Sequence, residues 1–445
     1  MIPVPKITEI LDHFKNNWSE LLDHTAIEAL CLKLGYSWRE RTLGPGTTIQ
    51  LFLLQVLLGN TSCSHLRYFS GLKFSASSYC DARRRIPLAV LEELVRIVGE
   101  RMHLDGYGDE LWHGHRVWMA DGSGCSMPDT PELQDYFGQP PGQRVGCGFP
   151  VAHLLDLMNC STGVLQKMLV SPMHVHDLSR APEISSELNE EDIVVYDRGF
   201  CSSTFIFMLS EQNLHSVIRV HSSHNVDFRQ SRKEKDTGIR RQRKAKLGKK
   251  DQLIEWHKSK TKPPWMSKEK FDQLPKTLIL REISYSLDRK GFRSKKIILV
   301  TTLINHNKYT PEAIAELYGM RWEIETNFRH LKISMKMDIL KCKTVEGVKK
   351  ELCSFILVYN MVRQAMIERA ILYDMPVSRI SFLDTLRWLL ELRNARQNCR
   401  PIINPHRPGR KVPRVVKRRP KAYPRMTSKR INTIATSLKI QKKAA

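Results

Sequence analysis

Acid is scarce in this sequence, and so is any segment that would carry the chain into or across a membrane. Against 71 Lys and Arg it sets only 46 Asp and Glu, a formal net charge of +25 at pH 7 over 445 residues. A polyanion is the economical partner for such a chain, because each cation that replaces a counterion on phosphate gains affinity. No Cys-x-x-Cys pair occurs among the 10 cysteines, which excludes a zinc ribbon or dithiol redox motif. The cysteines are scattered from Cys31 to Cys399 with no disulfide framework, the pattern of a reducing compartment. The start, Met1-Ile2-Pro3-Val4-Pro5-Lys6, lacks the basic and apolar blocks of a signal peptide, and the longest apolar stretch, residues 49–58, is too short to span a bilayer. No internal repeat is visible. The expectation is a soluble, cytoplasmic protein that binds nucleic acid and no membrane.

What is present reads as an ordinary globular chain, 41% hydrophobic and 26% charged, of several structural units. Apolar residues recur at helical spacing over 7–22, 25–34 and 49–58, with Gly44-Pro45-Gly46 and Gly59-Asn60 as punctuation, and a further helix is predicted over 87–98. The cluster Arg83-Arg84-Arg85 beside it suits phosphates and a solvated basic face equally. From about 115 the texture turns to strands. Residues 117–121 form a buried-strand pattern that ends on Asp121 before Gly122-Ser123-Gly124. Two more strands, 149–157 and 163–170, flank the hairpin signal Asn159 to Gly163. After a helix at 181–188, residues 193–197 repeat the strand-then-Asp pattern on Asp197, closed by Arg198-Gly199. A helix at 204–212 and a strand at 216–220 follow.

A run dominated by Lys and Arg then occupies 229–250, Trp256 and Trp265 stand in polar surroundings, and strands resume at 277–287 and 296–303. This reads as a basic β-rich insertion, 222–294, in the main domain. One long helix is predicted from the N-cap Thr310 and first-turn Pro311 to about Lys332, with further helices over 345–372 and 378–394. The tail from about 400 is rich in Pro, Lys and Arg and is expected to stay disordered until DNA is bound. The predicted class is α/β, a mixed sheet with helices on its faces. The predicted divisions are a helical DNA-binding region 1–114, a core 115–340 carrying the insertion, C-terminal helices 341–399 and the basic tail 400–445.

The sharpest pattern lies on the long predicted helix. Tyr318, Arg321, Glu325 and Lys332 fall within an arc of about 60° at roughly 100° per residue. Leu317, Ile324, Phe328 and Leu331 form an adjacent apolar stripe, so the polar stripe borders a packed face, while Glu323 points away. Alone, such a stripe is more often a surface series of helical ion pairs. Two strand-end aspartates beside it make a hard-oxygen cluster of Asp121, Asp197 and Glu325 that suits Mg²⁺, with Mn²⁺ as substitute, and whose mutual repulsion a divalent cation would relieve. Two-metal displacement at phosphorus is the chemistry such a cluster supports. Arg321 as a planar fork and Lys332 as a point charge would neutralise phosphate, and Tyr318 would donate to a phosphate oxygen.

These residues match a known pattern. Asp121-Gly122-Ser123, Pro128-Asp129-Thr130, Tyr196-Asp197-Arg198-Gly199-Phe200 and the Tyr318, Arg321, Glu325, Lys332 series resemble insertion-sequence transposases of the DDE class, and within it the insertion-sequence-four type defined by that Tyr-Arg-Glu-Lys signature. The resemblance covers about 115–340 and extends to Ala82 through Pro87. It implies a ribonuclease-H-like fold with a β-rich insertion before the Glu, Mg²⁺ dependence, terminal inverted repeats and target DNA as partners, a homodimeric DNA complex, and a bacterial, nucleoid-associated location. Ser123 departs from the commoner Thr, and the strongly basic insertion has details that do not transfer.

Some such transposases stack an insertion tryptophan on a flipped base, for which Trp256 and Trp265 are candidates by position; a lone tryptophan more often closes a small core. His174 and His176, or His221 and His224, have the spacing of a metal pair without further ligands, and Asp129 reads as a turn or cap residue. Two rivals to a transposase stay open: a repurposed DNA-binding protein without catalysis, and a nuclease of the same fold that cannot join strands.

Overall fold

The computed structural model describes residues 4–14, 18–104, 110–221, 224, 226–229, 241–287, 295–338, 340–390 and 402–403. The expectations for residues 230–240 of the basic run, for the end of the last predicted helix past 390 and for the tail apart from 402–403 lie outside the described residues. Seven helices come first: α1 (Pro5–Leu11), α2 (Ser19–Leu22), α3 (His24–Lys33), α4 (Pro45–Leu57), α5 (Cys63–Ser70), α6 (Ala76–Arg85) and α7 (Leu88–Leu104). The strands are β1 (Val117–Ser126), β2 (Val151–Asn159), β3 (Leu165–Pro172), β4 (Ile193–Tyr196), β5 (His215–Arg219), β6 (Arg241–Gly248), β7 (Asp251–His257), β8 (Thr277–Leu287) and β9 (Lys295–Thr301). Among them run α8 (Pro131–Phe137), α9 (Asp177–Ser185), α10 (Ser203–Glu211) and α11 (Lys268–Gln273). After β9 come α12 (Pro311–Met320), α13 (Trp322–Arg329), a π-helical turn (His330–Ser334), α14 (Val345–Leu372) and α15 (Phe382–Leu390).

The strands form one mixed nine-stranded sheet in the order β3-β2-β1-β4-β5-β9-β8-β7-β6. Only β1, β4 and β5 run parallel. The strands of the insertion therefore extend the main sheet, joined through the antiparallel pairing of β5 with β9.

Strand alternation sorts the sheet's side chains into two cores. Val117, Met119, Ile193, Val195, Val217 and Leu299 face one core, and Trp118, Ala120, Val194, Tyr196, Ile218 and Val300 face the other. The first core continues through α1 to α7, α12, α13 and α14, from Val4 to Leu389. The N-terminal helices thus share one apolar interior with the sheet, because the buried faces of α4 and α14 have each other to cover. The second core is closed by α9, α10 and α11.

Three local expectations need correction. The predicted helix over 7–22 is two short ones. The strand carrying Asp121 does not end at Gly122-Ser123-Gly124, since pairing with β2 continues to Ser126; what ends at Ala120 is the pairing with β4. The helix over 310–332 is broken at Arg321, where α12 gives way to α13, and ends in the π-helical turn that holds Lys332.

Candidate active site

Two residues beyond Met119 on β1 stands Asp121, and two beyond Val195 on β4 stands Asp197. Both follow the inward residues of the first core, so both are offered on the face that α13 covers. Ile324 and Phe328 pin α13 into that core, which leaves Glu325 at its margin. Arg321 joins the parts: one guanidinium nitrogen donates to Asp121 Oδ2 at 3.0 Å and the other to Glu325 Oε1 at 3.0 Å. Tyr318 Oη donates to Asp197 Oδ1 at 3.4 Å. The hydrogen bonds make two sets, Asp121–Arg321–Glu325 and Tyr318–Asp197, and the Arg321 guanidinium, 5.9 Å from the centroid of the Tyr318 ring, joins them into one linked group.

The electrostatics register the crowding. Burial pushes the Asp121 carboxyl up to about 6; Arg321 opposes the rise, and the charges of Asp197 and Glu325 add to it. Burial also raises the Tyr318 phenol, so it remains a donor. Arg321 is 14% exposed while Glu325 is 39% exposed, which gives the group a guarded cation and an open rim. Three carboxylates in mutual repulsion are an all-oxygen donor set of the kind a hard divalent cation relieves.

Lys332 is placed differently from the expectation. Its Nζ donates to Ser123 Oγ and to the Gly124 carbonyl at 2.6 Å, tying the π-helical turn to β1 just past Asp121. Arg198 lies exposed on the 3₁₀ turn after Asp197. Trp256 is corrected outright. It is fully buried, its indole N–H donates to Glu282 Oε1 at 3.2 Å, and no ring face is left for a base. Trp265 is half-buried and packs edge-on against Phe205.

Two residues near the site escaped the sequence reading. Trp322, next to Arg321, is 62% exposed. Its signal was available, since it lies nearly opposite Ile324 on the helical wheel. Asp156 pairs with Asp121 across β1 and β2, is fully buried, and neither carboxyl oxygen has a hydrogen-bond partner among the described residues. Burial holds that carboxyl well above the usual range, with Lys332 opposing. A lone Asp in the run Leu154-Leu155-Asp156-Leu157-Met158 was its mark. Gly122 also has a reason: a Cβ there would meet the Asp177 carboxylate at 2.2 Å.

Comparison with known proteins then bears on this geometry. Residues 112–361 match the family described as Transposase DDE domain. The chain is 26% identical over 343 residues to the transposase InsG for insertion sequence element IS4 of Escherichia coli (strain K12), covering 71% of this chain and 72% of that protein. It is 24% identical over 247 residues to a putative transposase for insertion sequence element IS4SA of Synechocystis sp., covering 54% and 59%. A solved structure, the piggyBac transposase synaptic complex with hairpin DNA, aligns at a TM-score of 0.40 and 10% identity over 86% of this chain and 76% of that one. The family match takes in β1 through most of α14, and with it every residue of the linked group; the chain belongs to the DDE-domain transposases.

Proposed function

We propose that Asp121, Asp197 and Glu325 hold the divalent cations of this DNA transposase, Mg²⁺ by preference and Mn²⁺ as substitute. On this reading it cuts at the terminal inverted repeats of its own element and joins the ends to target DNA. The observation that carries the assignment is the bridge made by Arg321, which brings Asp121 and Glu325, far apart in the chain, onto one guanidinium. Divalent-metal dependence comes with the family; an all-carboxylate donor set favours hard Mg²⁺ over softer ions. When bound, the cations supply an activated water or 3′ hydroxyl and stabilise the leaving oxygen of an in-line displacement.

The chain's own residues then have separate tasks. Arg321 holds two carboxylates in register and, being a planar fork, can turn one arm to a phosphate without losing the other contact. Tyr318 keeps its proton and orients Asp197. Lys332 fixes the strand beyond Asp121, so it positions before it neutralises. Arg198 and the exposed ring of Trp322 border the group, one suited to phosphate and the other to an unstacked base. The mixed sheet, with its parallel ladder leading from β1 to β5, supports a ribonuclease-H-like core. A homodimeric DNA complex, a bacterial cytoplasm and nucleoid association complete the reading.

The test is Mg²⁺-dependent cleavage and joining of DNA from the gene's own flanks, by wild type and Glu325→Gln. Products cut and joined by wild type only, with DNA retained by the variant, are expected. Equal cleavage by both proteins removes Glu325 from the chemistry. Cut but never joined DNA identifies a nuclease.

A further inference from the structure

At the opposite end of the same three parallel strands lies a second group of ligating side chains. His115 precedes β1, Glu191 precedes β4 and His215 opens β5. One ligand atom from each of the three lies within 4.8 Å of the others, and among the described residues no other group of His, Cys, Asp and Glu does so. The site is far from the carboxylates: six residues of β-strand at 3.3 Å each put His115 about 20 Å from Asp121.

Its backbone is built with strain. His113 (φ 50°) and Gly114 (φ 87°) form a tight turn that pairs Trp112 with His115 and fixes where the imidazole emerges. Glu191 itself has φ 67°, a left-handed conformation uncommon for a long side chain. Such outliers persist where surrounding structure imposes them and cluster at functional sites. Here the stitches are backbone bonds from Glu191 to Asn213, His215 to Asp192 and Ile193 to Arg116.

His215 turns Nε2 toward the Glu191 carboxylate, while the His115 nitrogen nearest that carboxylate is Nδ1, 3.9 Å away. His115 Nδ1 donates to the Glu191 carbonyl at 2.7 Å, which leaves the lone pair on Nε2. His215 Nδ1 lies 3.4 Å from Thr302 Oγ1, and its Nε2 lies 3.3 Å from Glu191 Oε2. A backbone carbonyl or hydroxyl on the far nitrogen is the usual support of a metal-bound imidazole. Opposing this are Lys308 Nζ, 3.3 Å from His115 Nε2, and Tyr309 Oη, 2.7 Å from it. Lys308 is exposed and free to swing away; the phenol can rotate its hydrogen elsewhere.

We infer that His115, Glu191 and His215 form a structural site for a borderline transition-metal ion of the zinc class, separate from the carboxylate site. Two imidazoles and one carboxylate are poor ligands for Mg²⁺ and good ones for Zn²⁺. The ion would clamp the starts of β1, β4 and β5 beside the segment that leads, through Tyr309, into α12.

The test uses the full chain carrying Asp121→Asn, Asp197→Asn and Glu325→Gln, so that it stands apart from the reading of those carboxylates. Titration with Co²⁺ should show one bound equivalent with visible ligand-field bands, displaced by Zn²⁺, and a raised melting temperature. Glu191→Gln, an exposed and nearly isosteric change, should weaken binding 10- to 100-fold, as should His215→Ala. Lys308→Met should tighten it. No bound equivalent, intense thiolate charge-transfer bands, or binding unchanged in both Glu191→Gln and His215→Ala would overturn the site.

Discussion

At the scale of single residues, Arg321 decides most. It is the only side chain among the described residues shown bonded to two of the three carboxylates. Arg321→Ala should lower cleavage by about 10²-fold or more, the scale at which lost transition-state donors register. Arg321→Lys should recover little, since a point charge cannot span both carboxylates. DNA retention measured by gel shift should barely change, one cation being lost among 71. Tryptophan gives a sharper contrast. Trp322→Ala should depress cleavage while leaving the melting temperature within a degree or so, because an exposed ring contributes little to folding. Trp256→Ala should do the reverse and unfold the protein at lower temperature, because it opens a large cavity and removes one donor from buried Glu282. The sequence offered Trp256 for stacking by its position alone, among polar neighbours such as Glu255 and His257. On a strand, however, those neighbours point the other way. Arg321 and Glu325 were legible by spacing alone. Asp156 was not, because its partner across the ladder depends on a register that no local pattern reveals.

Elements carry the next set of consequences. Arg281 and Asp251, both buried, form a two-bond ion pair between β8 and β7. The same guanidinium donates to the Tyr309 carbonyl at 2.6 Å, just before α12. Arg281→Ala should cost about 3–5 kcal/mol by chemical denaturation, the range for uncovering a buried charge. It should also impair cleavage more than its distance suggests, since α12 carries Tyr318. The π-helical turn has a pH signature. His330 stacks on Phe382 at 4.3 Å, and burial, with Arg363 and Arg329, lowers its pKa to about 3. The folded state therefore refuses a proton that the unfolded chain accepts below about 6.5. Stability from this group should be whole above pH 6.5 and decline as the pH falls toward 3. His330→Phe should flatten that decline in urea melts at pH 7.5 and 5. Long apolar helices were readable: the predicted 345–372 is α14 itself. The break at Arg321 was not, because no proline marks it and helical spacing continues across it. The backbone there tightens to three-residue spacing, with the Arg321 N–H on the Tyr318 carbonyl and the Ile324 N–H on the Arg321 carbonyl.

The whole molecule is a basic body built around one sheet. With a net charge of +25, its DNA affinity should fall linearly on a log–log plot against salt, with a slope that counts the phosphates neutralised. A flat response would mean that the excess charge does not meet the DNA backbone. The α/β class and seven of the strands were legible; β6 and β7 were not, hidden in a run that read only as basic. The order of the strands across the sheet was not legible, nor was the single interior shared by α1 to α7, β1 and α14, since both rest on pairings between distant segments. Those distances also set a schedule for the newborn chain. Arg321 meets Asp121 across 200 residues of sequence. At ribosomal speeds of 5–20 residues per second, about 10–40 s separate their synthesis. During that interval the helical N-terminal region has already been made, while Glu325, the third carboxylate of the proposed site, has yet to leave the ribosome.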